Sequence, residues 1–74
     1  MIKKHKIILR KAQDALHGRL KTGYKIEIIN LRPGHIIAHV TIFKNGKEYG
    51  QAGLVKHTSD VYRKGYWTMD WVEG

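Results

Sequence analysis

Residues 34–50, GHIIAHVTIFKNGKEYG, decide the fold. Apolar and polar side chains alternate from Ala38 to Ile42, the period of a strand with one buried face. Asn45-Gly46 follows, the preferred pair for a type I′ turn, in which both central residues take positive φ. A two-residue loop fixes the register. It predicts Lys44 opposite Lys47, Phe43 opposite Glu48, Ile42 opposite Tyr49, Val40 opposite Gln51, Ala38 opposite Gly53 and Ile36 opposite Val55. One face then carries Ile36, Ala38, Val40 and Ile42 with Tyr49, Gly53 and Val55. The small Ala38–Gly53 pair leaves room for a helix to lie close. The other face carries His35, Ile37, His39, Thr41, Phe43, Glu48, Gly50, Ala52 and Leu54. Its apolar pair, Ile37 opposite Leu54, is offered either to the C-terminal segment or to a partner.

Upstream, YKIEIINL over residues 24–31 reads as an isoleucine-rich strand with Tyr24, Ile26 and Ile28 toward the core. It leads into a turn at Arg32-Pro33-Gly34. Residues 3–17 fit a helix, because Ile8, Leu9, Ala12, Ala15 and Leu16 share one face at 100° per residue. Gly18 can close it in the left-handed conformation. Against the helix stand a missing Ser, Thr, Asp or Asn cap and three lysines at the positive end of its dipole. The first turn is therefore expected to fray, or residues 5–9 to form a strand instead. Downstream, residues 56–65 are polar and turn-rich, with a short helical turn starting at Ser59. Residues 66–72, YWTMDWV, alternate, and predict a fourth strand with Trp67, Met69 and Trp71 on one face. Both tryptophans are then core residues, each burying roughly 150–250 Å². The expected fold class is α+β, an N-terminal helix packed on a three- to four-stranded antiparallel sheet in the order α-β-β-β-β.

The chain has 74 residues, enough for one small domain, residues 1–74. A chain of this length buries only about 60% of its unfolded surface, so the core is thin. There is no cysteine to add a disulfide or a thiolate metal site. The basic start, MIKKHKIILRK, continues into an apolar run of only Ile7-Ile8-Leu9, too short for a signal segment. No stretch approaches the ~18 apolar residues of a membrane span. These features lead to the expectation of a soluble, unprocessed, cytoplasmic protein without membrane contact. The net charge is +8, and it is uneven. Residues 1–25 hold eight Lys/Arg against the single acid Asp14, whereas MDWVEG at the C-terminus holds two acids and no base. A clustered basic charge points to a polyanion; the alternative is that excess lysine only keeps a small protein soluble.

The best functional candidate is a basic stripe. Lys3, Lys6, Arg10 and His17 fall on the helix side opposite the apolar face, and Lys21 and Lys25 extend the row past Gly18. Such a row can track phosphates, each contact adding about one unit to the salt slope. Arg32, Lys44 and Lys47 at loop tips are the remaining donors, and Arg63-Lys64 is a second small cluster. The leading reading is a nucleic-acid-binding module, for DNA or RNA, without catalytic activity. A protein-interaction module, inhibitor or adaptor, is the rival. It would use Ile37, Phe43 and Leu54 on the outer sheet face with a basic rim against an acidic protein.

The histidines supply a third reading. His35 and His39 lie about 13 Å apart along one strand face, too far to chelate one metal. His57 falls near residue 34 in the hairpin register, so His35 and His57 could work as a general acid–base pair on a ribose phosphate. A plainer account makes them two histidines at a sheet edge. No nucleophile elbow, Walker loop or G-x-G-x-x-G is present, and the carboxylates are scattered. No enzyme activity, metal or cofactor is expected.

Arg32-Pro33-Gly34-His35, Lys44-Asn45-Gly46 and Gly50-Gln51-Ala52-Gly53 follow one another after a helix and a strand. In this respect residues 34–53 resemble the hairpin of the double-stranded-RNA-binding domain, with its loop before the second strand, its N-G turn and its glycine-rich third strand. The likeness implies His35 in an RNA minor groove. It stops at Lys56-His57-Thr58-Ser59, where that family begins a lysine-led, alanine-rich helix, so the similarity is one of a hairpin.

Overall fold

The computed structural model describes residues 2–32, 35–57 and 65–74, with the side chains of 30–32 and 35 left out. One helix, α1 (Lys3–Leu16), precedes four strands, β1 (Tyr24–Arg32), β2 (His35–Lys44), β3 (Lys47–His57) and β4 (Tyr66–Glu73). The strands form one antiparallel sheet in the order β1-β2-β3-β4. This is the α+β, α-β-β-β-β arrangement expected from the sequence. The turn expected from Ser59 lies outside the described residues.

Helix α1 is helical from Lys3 onward, although Ile2 at its N-cap makes no side-chain hydrogen bond and no acid stands in its first turn. The alternative of a strand over residues 5–9 is not seen, because tertiary packing of the apolar face favours the helix. Ile8 and Ala12 are fully buried and Ala15 nearly so, against Ala38, Val40, Ile42, Ala52 and Leu54 of the sheet. Gly18, at φ +71°, ends the helix. Its amide donates to the Ala15 carbonyl at 3.1 Å, and Arg19 N–H donates to the Asp14 carbonyl at 2.8 Å. This pair of bonds is the Schellman closure, which satisfies carbonyls the helix leaves free.

The hairpin turn is as predicted, with Asn45 at φ 54° and Gly46 at φ 77°. The register beyond it is not. Lys44 pairs with Lys47 and Phe43 with Glu48, but Ile42 then pairs with Gly50, leaving Tyr49 as an extra residue in β3. A bulge of one residue turns every following side chain to the other face. Ala38 therefore opposes Leu54 rather than Gly53, and Ile37 opposes Val55. Gly50, Ala52 and Leu54 belong to the helix-facing side and are buried, while Gln51, Gly53 and Val55 face outward.

The close approach of helix to sheet falls at Gly50. A Cβ there would lie 2.2 Å from Ile8 Cδ1 and 2.8 Å from the Glu73 carbonyl oxygen. The glycine is required because Ile8, the largest fully buried side chain of the helix, sits directly on its backbone.

A second bulge divides the tryptophans. Gly53 pairs with Trp71 and Leu54 with Met69, leaving Asp70 unmatched in β4. Trp67 consequently packs against the core under α1. Trp71 lies on the opposite face, over Gly53, where an added Cβ would come within 2.1 Å of its Nε1. The expectation that both tryptophans share the core face is thus corrected by one extra residue. Tyr24, Ile26 and Ile28 do share the helix-facing side of β1, but Ile28 is 52% exposed because β1 is an edge strand and the helix lies mainly over β2, β3 and β4.

Candidate nucleic-acid interface

On α1 the residues Lys3, Lys6, Arg10, Gln13 and the capping His17 fall within about 80° of one another at 100° per residue. Ile8, Ala12 and Ala15 centre about 170° away, so the stripe points from the sheet into solvent. Lys3, Lys6, Arg10 and His17 are all exposed, as is Lys21 in the connector. From Lys3 to Arg10 the row runs about 10 Å along the helix axis. The helix carries one acid, Asp14, 4.0 Å from Arg19.

Lys25 does not extend this row. Strand β1 begins at Tyr24, whose side chain goes inward, so Lys25 points to the face away from the helix. There it pairs with Glu27 at 3.0 Å. That contact, first as a hydrogen bond and then as a charge, holds the Glu27 carboxyl below its ordinary value of 4.5, with His39 adding a smaller pull and desolvation opposing. A lowered folded-state value means stability present above the unfolded value and lost as pH falls through the folded one. Glu27→Gln is expected to remove this part of the acid dependence, seen as a shallower loss of stability below pH 4.5 in denaturant titrations across pH.

Lys44 and Lys47 face each other across the hairpin tip and are exposed. Arg32 and His35 pair on the backbone across the β1–β2 connection, and their side chains lie outside the described set, as do Arg63 and Lys64. Two cations that sequence reading left aside, Lys4 and Lys11, flank the stripe. Both reach the ring of Tyr49, at 4.8 and 5.8 Å from its centroid, and Lys44 reaches the same ring at 5.7 Å. Helical phase alone places Lys4 and Lys11 on one flank; only the bulge at Tyr49 reveals what they meet.

The outer sheet face has a different character. Its rows read Lys25–Thr41–Gln51–Glu73, Glu27–His39–Gly53–Trp71 and Ile29–Ile37–Val55–Thr68 across the four strands. Gln51 Nε2 donates to Glu73 Oε2 at 3.4 Å, so Gln51 Oε1 accepts from His39 Nε2–H. The imidazole of His39 meets Trp71 edge-on at 5.0 Å. Glu27, Glu73 and, at the hairpin end, Glu48 give this face its acids, and Lys25 is already paired. The stripe of Lys3, Lys6, Arg10 and His17 thus faces away from Glu27 and Glu73, whereas Lys25 is paired with Glu27 and Lys4 shares a groove with Glu48 and Glu73.

The apolar set proposed for a protein partner is not brought together. Leu54 is fully buried beneath the helix, a consequence of the Tyr49 bulge. Phe43, 38% exposed, sits at the hairpin end, six residues or about 20 Å along β2 from Ile37. The apolar row the sheet does offer, Ile29–Ile37–Val55, depends on the bulged register, which the alternation could not supply. His57 Nε2 bonds Thr68 Oγ1 at 2.7 Å and its ring stacks on Tyr66 at 5.2 Å, committing it to β4. Among the described residues no group of His and acidic side chains could hold a metal ion, and no helix is long and apolar enough to cross a membrane.

No family model matches the chain, and no curated protein or solved structure matches it either. Beyond the hairpin that resembles the double-stranded-RNA-binding domain, the next described element is β4, paired with β3.

Proposed function

We propose that this protein is a small, non-catalytic nucleic-acid-binding module. The exposed face of α1, through Lys3, Lys6, Arg10 and His17, lies along a phosphate backbone, and Lys21, Lys44 and Lys47 add contacts from the flanks. The observation that carries this reading is the alignment of Lys3, Lys6, Arg10 and His17 on one exposed face of α1, none of them in an ion pair among the described residues. A lysine excess serving solubility alone needs no such alignment. The carboxylates of Glu27 and Glu73 on the outer sheet face weigh against an acidic protein bound there. His57, engaged with Thr68 and Tyr66, is poorly disposed to act with His35 on a ribose phosphate.

Phosphate contacts position a protein without reading bases, so the expected binding is sequence-tolerant. Its test is a titration with duplex DNA, duplex RNA and a single strand at two salt concentrations. The reading requires affinity for at least one of them that falls steeply with salt, with a log–log slope of about −3 to −5 for three to five phosphates neutralised. Absence of binding at about 50 mM salt, where electrostatic contacts are strong, refutes it.

A further inference from the structure

Tyr49 is surrounded by three ammonium groups. Lys4 and Lys11 approach from α1, and Lys44 from the hairpin, all within 5.8 Å of the ring centroid. The ring's negative face attracts a cation, but a ring has two faces, so at least two of the three ammoniums share one. With the two longest centroid distances at 5.8 and 5.7 Å, no two ammoniums are farther apart than about 11.5 Å, so salt at 0.1 M, with a Debye length of about 10 Å, only partly screens their repulsion. None of the three has an ion-pair partner among the described residues, where the ion pairs are Arg19–Asp14 and Lys25–Glu27. Glu48 and Glu73 line the groove that runs from Lys4 past Tyr49 to Gly74, yet neither pairs with these lysines. The cluster is therefore a concentration of three ammonium groups, none of them in an ion pair among the described residues.

We infer that Lys4, Lys11 and Lys44 around Tyr49 form a phosphoryl-binding site between the helix and the hairpin. A phosphoryl group suits it better than a carboxylate. It offers acceptor oxygens in several directions, and each ammonium brings three donors on a flexible stem. Its charge removes the repulsion among the three, and its contacts tie α1 to β2. The source is either a free phosphate or one phosphodiester of the nucleic-acid backbone, and in the second case the inference rests on the function proposed above.

The test follows backbone and aromatic NMR signals of the full chain during titration with inorganic phosphate, with sodium chloride at matched ionic strength as the reference. Saturable shifts at Lys4, Lys11, Lys44 and Tyr49 that chloride does not reproduce are expected. Lys11→Gln with Lys44→Gln should weaken the phosphate response at least tenfold, and Lys25→Gln, on the opposite face of the sheet, should leave it intact. A duplex titration forms the second arm: shifts at Tyr49 with duplex and none with free phosphate assign the site to the backbone phosphodiester. No saturable shift at Tyr49 with either ligand, or an equal shift with chloride, overturns the site even if duplex still binds through the stripe. Saturable phosphate binding at Tyr49 without any duplex binding keeps the site and sinks the nucleic-acid function.

Discussion

Reversing two charges on the outward face of α1, Lys6→Glu with Arg10→Glu, is expected to weaken duplex binding by about 100-fold near 50 mM salt. The magnitude follows from counterion release. Each phosphate neutralised contributes about 0.9 to the log–log salt slope, hence roughly one decade of affinity near 50 mM. Losing two contacts lowers the slope by about two units, and the new carboxylates add repulsion. Both positions are exposed on the side of α1 away from the core, so the fold should tolerate the change. An unchanged thermal transition beside the lost affinity would separate an interface effect from unfolding. The same reversal at Lys25, giving Lys25→Glu, should cost little affinity. That side chain lies on the opposite face beside Glu27, and its loss should show as altered stability instead.

The largest stability effect is expected at Ile8. It is fully buried, and it rests on the bare backbone of Gly50. Ile8→Ala removes the transfer energy of its lost methyl and methylene groups and leaves a cavity that the glycine beneath cannot fill. A cost of about 3–4 kcal/mol is expected. The whole stability of a chain this size is roughly 4–11 kcal/mol, so the variant should lose about 15 °C or more in Tm and approach complete unfolding at the low end. Circular dichroism melts give the comparison. Ile28→Ala, on the same side of the sheet but 52% exposed, should cost no more than about 1 kcal/mol. Equal effects at the two positions would mean that α1 does not seat where Gly50 admits it.

Much of this architecture is readable from local rules, and the failures share one cause. The helix, its closure at Gly18, the Asn45-Gly46 turn and the four strands each depend on residues near in sequence, and each matches. The faces of β3 and β4 depend on Tyr49 and Asp70, two unpaired residues inserted in otherwise regular ladders. Neither position carries a sequence mark strong enough to predict a bulge, yet each inverts everything beyond it. Leu54 moved from a supposed docking face to the core for this reason, and Trp71 moved the other way. The stripe on α1 was readable because helical phase runs unbroken from Lys3 to His17. Lys25 was misplaced because the connector from Gly18 to Gly23 resets that phase. The cluster around Tyr49 was invisible in the sequence, since it joins a helix flank to a bulge.

The central claim is that nucleic acid meets the helix side of this molecule and not the sheet side. Amide chemical-shift mapping of the full chain with a short duplex at low salt tests it most directly. The predicted result is a contiguous set of shifts over residues 3–17 and 44–49, fading as salt is raised, with Ile29, Ile37, Val55 and Trp71 unmoved. Shifts centred on those four outer-face residues, or none anywhere, would contradict it.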